Sequence, residues 1–313
     1  YLPRKVTVLP DAALVFPTGS IRVPEQCEIE VQGALQWPAS AMEKTKFFSA
    51  DQSVTAHLSV KFEGDGSFQH CALAGYNGPV GDPRIRLYVS ATEVLNVVGV
   101  DLQGVGHSQG KPIFEAKELV VKGLSYSSDN RSIARDNPCM KAGGIDVDGF
   151  SAEALTGFAS VFDCEKLVAE NVDMQGVVCA DMLVRGCTSA SFTAFSCGAC
   201  DLWPIAAYSL SFERCTLAYM ESTLRSESDE LRVLDSVFAA SGLALDCDSF
   251  EVEGSILCSP QGGISIGEAD LTDNTLAVTS EGVTESVLLS FVTPDRKLFE
   301  LFEGEMIVIL VIG

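Results

Sequence analysis

The sequence predicts an all-β chain wound into a solenoid of parallel strands, with irregular coils near its start and a strand-forming C-terminal extension. Three observations predict it: a six-residue phrase that returns along the chain, a turn-permissive residue at a fixed place in that phrase, and spacings too short for strand–helix units. The phrase reads apolar, any, apolar, any, Gly or a small polar residue, then a small or apolar residue. Copies begin at Leu95, Leu119, Ile145, Leu167, Met182, Leu210, Leu231, Phe250 and Ala269. A phrase that returns every 15 to 28 residues marks a repeat architecture.

Period-two alternation places Leu95 and Val97 on one face of a strand and Asn96 and Val98 on the other. The fifth position is Gly, Asn, Asp or Arg, and all but Arg tolerate the positive φ of a sharp corner. Each copy therefore encodes a short strand, a corner and the start of another strand. Stacking such coils buries the inward residues against their equivalents above and below. A fully buried Leu or Val contributes about 1.5–3 kcal/mol, which offsets much of the ordering cost.

Spacings of 21, 19 and 19 residues separate Leu210, Leu231, Phe250 and Ala269. A strand–helix crossover needs more chain, so three short strands and three corners fit better. Longer spacings of 24 and 26 around Leu119 imply insertions at corners, where they cost least. Between Leu167 and Leu210 two parsings stay open: tight coils with an added copy at Phe195, or one long coil. Nearer the start, Pro10 to Gly19 and Pro24 to Gly33 match at an offset of 14. Residues 36–90 read as decorated coils, with turn signals at Gly64-Asp65-Gly66 and Asn77-Gly78-Pro79. Single helical turns are expected only from Ala41 to Phe48 and from Glu115 to Glu118. The resulting division is a solenoid over 1–292 and an extension over 293–313.

This phrase pattern resembles the right-handed parallel β-helix, or pectin-lyase-like, superfamily, over most of residues 5–291. The resemblance implies a right-handed coil. It rests on a degenerate pattern, and β-sandwiches or jelly rolls also use short strands at close spacing. The Asn-Thr-Asp, Asp-Asp and Gly-His-Gly signatures of that family's galacturonan hydrolases do not occur here, so their activity maps onto no residue.

With 43 acidic and 21 basic residues the net charge is −22, which disfavours nucleic acid and anionic membranes as partners. Acids at Glu213, Glu251, Glu253 and Asp270 fall in outward slots, as a solvated face or as a calcium bridge to an acidic glycan. No apolar run reaches the length that spans a bilayer. Eleven cysteines are too few for a disulfide scaffold of this size. Cys187 and Cys215 share a slot of the repeat, with Cys200 joining under the tighter parsing, which suggests stacked buried thiols. Cys197-Gly198-Ala199-Cys200 has the spacing of a redox or half-zinc motif, without a second pair.

The chain opens at Tyr1 without a basic-then-apolar leader, which a removed signal peptide or a missing start would explain. Asn130-Arg131-Ser132 is a glycosylation sequon. Extracellular or cell-surface location is the expectation. The chain ends in Met306, Ile307, Val308, Ile309, Leu310, Val311 and Ile312 before Gly313. Such a run needs a strand partner, either in its own solenoid or in a neighbouring molecule, or else it begins a membrane segment.

Motifs of common enzymes (HExxH, GxSxG, the P-loop) are missing, and His57, His70 and His107 are the three histidines. The remaining chemical candidate is Asp146 with Asp148, two residues apart and about 6–7 Å apart on one outer face. That spacing suits a glycosidic acid/base pair, with Arg131 or Arg135 of the preceding loop holding an anionic sugar. Gly143 to Gly149 also resembles one calcium repeat with an acid in place of its third glycine. Asp246 and Asp248 share the geometry. Two exterior acids flanking a corner are the plain alternative for both pairs. Trp37-Pro38 and Trp203-Pro204 read as apolar lids or as sugar-stacking platforms.

The leading expectation is a secreted, non-enzymatic structural or adhesive protein, without cofactor or metal, assembling into a fibre or coat through residues 306–312. A polysaccharide lyase, hydrolase or epimerase is the second, and a carbohydrate-binding module the third.

Overall fold

The computed structural model describes residues 1–38, 42–51, 54–75, 85–108, 110–127, 137–179, 181–198, 205–253, 255–259, 264–266, 269–271 and 275–278. They form a parallel β-solenoid of about nine turns, and no helix occurs among them. Neither stretch expected as a single helical turn is helical among the described residues: Thr45–Ser49 is a strand paired with Gly19–Val23, and Glu115 and Glu118 end and begin the strands Phe114–Glu115 and Glu118–Ser127 on either side of a bend. In both, alternating burial on a ladder outweighs weak local helix preference.

Each coil runs along three faces. On the first face Leu95, Leu119, Ile145, Leu167, Ala190, Leu210, Leu231 and Phe250 stand in one register column. Leu119, Leu210 and Leu231 are 1%, 1% and 2% exposed, so the predicted interior column exists. Two residues on, Phe68, Val97, Val121, Val147, Ala169, Phe192, Phe212 and Val233 form a second column. Phe192 stacks on Phe212 at 5.2 Å, and Phe212 meets Phe238 edge-on at 5.1 Å. The second face buries Leu73, Leu102, Tyr126, Ala152, Met174, Cys197, Leu217, Phe238 and Leu257. On the third, Ile29, Val60, Val89, Phe114, Met140, Phe162, Val184, Ile205, Ser226 and Leu245 line up.

Between the first two faces one residue in each of eight successive coils has a positive φ: His70 (49°), Gly99 (59°), Gly123 (68°), Gly149 (76°), Asn171 (52°), Ala194 (52°), Arg214 (54°) and Asp235 (45°). This is the fifth position of the phrase. The residue after it starts the second face and is buried. Late in the stack this position turns polar: Ser236 Oγ accepts from the Cys215 N–H at 3.0 Å, and Ser255 Oγ from the Ser236 N–H at 3.1 Å. These hydroxyls are satisfied by backbone. Ser226 Oγ, in the third-face column between Ile205 and Leu245, is buried without a hydrogen-bond partner.

Several expectations are corrected. The copy at Met182 is not a corner copy: Val184 belongs to the third-face column, and Gly186 (φ 69°) bulges the strand so that Val184 pairs with Ile205 but Cys187 with Ala207. A bulge and a corner both demand a left-handed residue, hence the resemblance. The true copy starts at Ala190, so neither tight coils nor one long coil separate Leu167 from Leu210. Cys187 and Cys215 consequently occupy different slots. Ala13–Val15 pairs with Ala34–Gln36, while Gln26–Val31 pairs with Lys5–Val8, so the offset of 14 matched two different faces. Finally, Ala269–Leu271 runs antiparallel to Ile264–Ile266, and Thr275–Val278 antiparallel to Ile256–Ser259. Ala269 therefore begins no further coil. All earlier registered pairs are parallel, which excludes a sandwich.

Three substitutions test this packing by urea unfolding midpoints. Ala194→Gly relieves a left-handed alanine and should raise stability by about 0.5–1 kcal/mol. Ser226→Ala removes an unsatisfied buried hydroxyl and should also stabilise, by about 1–2 kcal/mol. Phe212→Ala, by contrast, should cost about 3–5 kcal/mol.

Candidate functional site

The outward slots of the third face change character near the N-terminal end. Parallel register sets Gln26, His57 and Arg86 in one row, and Glu28, Ser59 and Tyr88 in the next. Alternation turns these side chains outward because Leu58, Val60, Leu87 and Val89 fill the core. Lys61 follows on its strand, Arg4 enters from the strand below, and Lys111 from the loop above. All of these except Arg86, which stands beside His57, line a hollow of about 410 Å³.

Charge is ordered within it. Lys61 forms an ion pair with Glu28, and the Lys61 hydrogen bond holds the Glu28 carboxyl below the usual carboxylate range, against a smaller opposing effect of burial. The Lys111 ammonium lies 4.1 Å from the Tyr88 ring centroid, a cation–π contact. Tyr88 Oη donates to Glu115 at 2.8 Å. Arg86 Nε is buried without a hydrogen-bond partner. Burial pushes the His57 pKa down from 6.5, and the neighbouring Arg86 charge pushes it the same way. On a chain of net charge −22 this is a local concentration of cations around an aromatic ring, suited to holding an anionic group.

The acids singled out from the sequence lie elsewhere. Asp146 and Asp148 are both exposed on the strand Gly144–Glu153. Asp148 Oδ1 accepts from Asn171 Nδ2 at 2.8 Å, and its register neighbours are Lys122 and Glu170. Asp146 sits between Val120 and Val168. Asn130, Arg131 and Arg135 lie outside the described residues, as do Cys200, Trp203 and residues 306–312. Asp246 and Asp248 are exposed and edge a second, shallower hollow of about 560 Å³ together with Glu227 and Asp229. Among the described residues no three His, Cys, Asp or Glu side chains converge as metal ligands. Glu251 faces outward and pairs with Arg232 at 3.0 Å.

Trp37 acts as a lid: it stacks on Phe16 at 4.5 Å, meets Phe47 and Phe68 edge-on, and donates Nε1–H to the Ser67 carbonyl at 2.7 Å. Cys197 is buried between Met174 and Leu217, the position of a core side chain. Sequence reasoning missed the cationic hollow. Its signal was basic residues gathering around Tyr88 on a chain of net charge −22, but reading it requires the register of three coils.

An NMR titration of His57 should give a midpoint below 6.5, moved upward but still below 6.5 in Arg86→Gln, because burial is the larger cause. The unfolded chain then takes this proton more readily than the folded one. His57 therefore contributes a loss of stability as pH falls below about 6.5.

Comparison of the chain with protein-family models, with curated proteins and with solved structures returns no match.

Proposed function

We propose that this chain is a non-enzymatic structural or adhesive solenoid of an extracellular or cell-surface assembly, joined end to end through the strand formed by residues 306–312. The observation that supports this reading is the state of the two ends. Lys5–Val8 and Gly19–Val23 at one end, and Ala269–Leu271 and Thr275–Val278 at the other, are each registered against a single neighbour among the described strands. Open strand edges pair with a further strand. The apolar run at 306–312 has the composition of such a strand. Light scattering coupled to size exclusion should find concentration-dependent oligomers of the full chain that are lost when residues 303–313 are removed. Equal assembly by both forms would reject strand exchange.

A second reading, a module that binds an acidic glycan, is supported by the cationic hollow around Tyr88. A glycan array should then show retention of uronate or sulfated glycans that falls at least tenfold in the Lys61→Glu, Lys111→Glu double variant. Unsaturated or reducing products released from those glycans would instead favour a lyase or hydrolase.

A further inference from the structure

We propose that Cys164 and Cys187 form a dithiol site that closes to a disulfide between two successive coils when a small disulfide, such as oxidised glutathione, reaches Cys187. Cys164 and Cys187 are both free thiols, whereas most of the other described cysteines are sealed in the interior columns. This pair differs in three ways: its placement, its access and the hydrogen bonds on its sulfurs.

Placement follows from the bulge. Phe162 and Asp163 are registered against Val184 and Arg185, and the Cys164 N–H donates to the Arg185 carbonyl at 3.1 Å. The left-handed Gly186 then turns the next side chain back toward the coil below. As a result the Cys187 thiol has as acceptors the carbonyl oxygens of Glu165, the residue after Cys164, at 3.5 Å and of Ser189 at 3.0 Å, and it interacts with the Cys164 thiol. The Thr188 N–H fixes this arrangement by donating to the same Glu165 carbonyl at 2.7 Å. The bulge thus sets Cys187 beside Cys164 on neighbouring parallel strands, the placement from which a disulfide between coils can close.

Access is unequal. Cys187 is 9% exposed and lines the hollow of about 560 Å³ edged by Arg185 and Tyr208. Cys164 is 3% exposed and does not line it. The sulfurs are unequal in the same sense. The interaction between the two thiols, the largest cause for each, pushes Cys164 up from its ordinary value, with burial adding to it, and pulls Cys187 down, with burial opposing it. Cys139 and Cys179 are also neighbours, but neither lines a described hollow, so no reagent reaches them from this side.

The chemistry balances as two exchanges. Cys187 thiolate attacks one sulfur of the glutathione disulfide, forming a mixed disulfide and releasing one glutathione thiolate. Cys164 then loses its proton to solvent and attacks Cys187 Sγ, releasing the second glutathione. Two electrons pass from the cysteine pair to the reagent, and one inter-coil S–S bond is formed.

The test is non-reducing peptide mapping of the folded chain, reduced with a phosphine, desalted, exposed to oxidised glutathione and quenched in acid with a maleimide. The expected result is a linked peptide joining Cys164 to Cys187 and a loss of two hydrogen atoms in intact mass. Cys164→Ser should accumulate glutathione on Cys187, because the resolving thiol is gone. Cys187→Ser should leave Cys164 unmodified. Cys187 remaining free in the wild-type chain, Cys187 joined to another cysteine, or Cys164 reacting equally fast without Cys187 would each overturn the proposal. The wild-type map alone decides it if either variant fails to fold.

Discussion

Eight successive coils of this protein, from His70 to Asp235, turn at the same place with a left-handed backbone, and the rest of the architecture depends on that constraint. The corner residue ends the first face and starts the second. When its φ stays near 50–75° in successive coils, the strands on both sides superpose and their hydrogen bonds run from coil to coil. Glycine accepts this conformation freely at Gly99, Gly123 and Gly149. Ala194 and Arg214 do not, and each carries a local cost of about 1–2 kcal/mol relative to the right-handed region. That cost is met by the columns on either side: a coil that failed to turn there would lift Phe192 or Phe212 out of the core.

Superposition makes the interior a set of one-dimensional stacks, so the packing problem is solved locally, coil against coil. Aromatic residues occupy neighbouring floors, as with Phe192, Phe212 and Phe238. Cysteines enter the same columns as small apolar side chains, with Cys197 between Met174 and Leu217. Polar residues are admitted where backbone can satisfy them, which Ser236 and Ser255 achieve with N–H groups of adjacent corners.

The same superposition assembles surfaces. Outward slots of different coils become rows, so residues separated by about thirty positions meet: Gln26 with His57 and Arg86, Glu28 with Ser59 and Tyr88. The cationic hollow exists because outward slots of one face, the residue before its first strand and an adjoining loop collect Lys61, Arg4 and Lys111 around Tyr88. The thiol pair exists because one bulge shifts Cys187 by a residue. Neither feature belongs to the repeat itself; both are departures from it made legible by a rigid lattice of strands.

Apolar alternation and the left-handed position by themselves determined the solenoid class, the column through Leu95, Leu119, Ile145, Leu167, Leu210 and Leu231, and most corners, since both signals are local and physically obligatory. The copy at Ala190 was invisible because alanine is weakly apolar and Ala194 is no turn former; neighbouring coils, rather than its own sequence, hold it in place. Met182 was misplaced because a bulge glycine and a corner glycine satisfy the same φ. The paired acids Asp146 and Asp148 were legible as outward neighbours, but their partners were not: Asn171 reaches Asp148 only through the stacking of the next coil. Strand direction at Ala269, the composition of the cationic hollow and the meeting of Cys164 with Cys187 were decided by the tertiary structure alone, because register between coils depends on loop lengths and bulges that no single strand encodes.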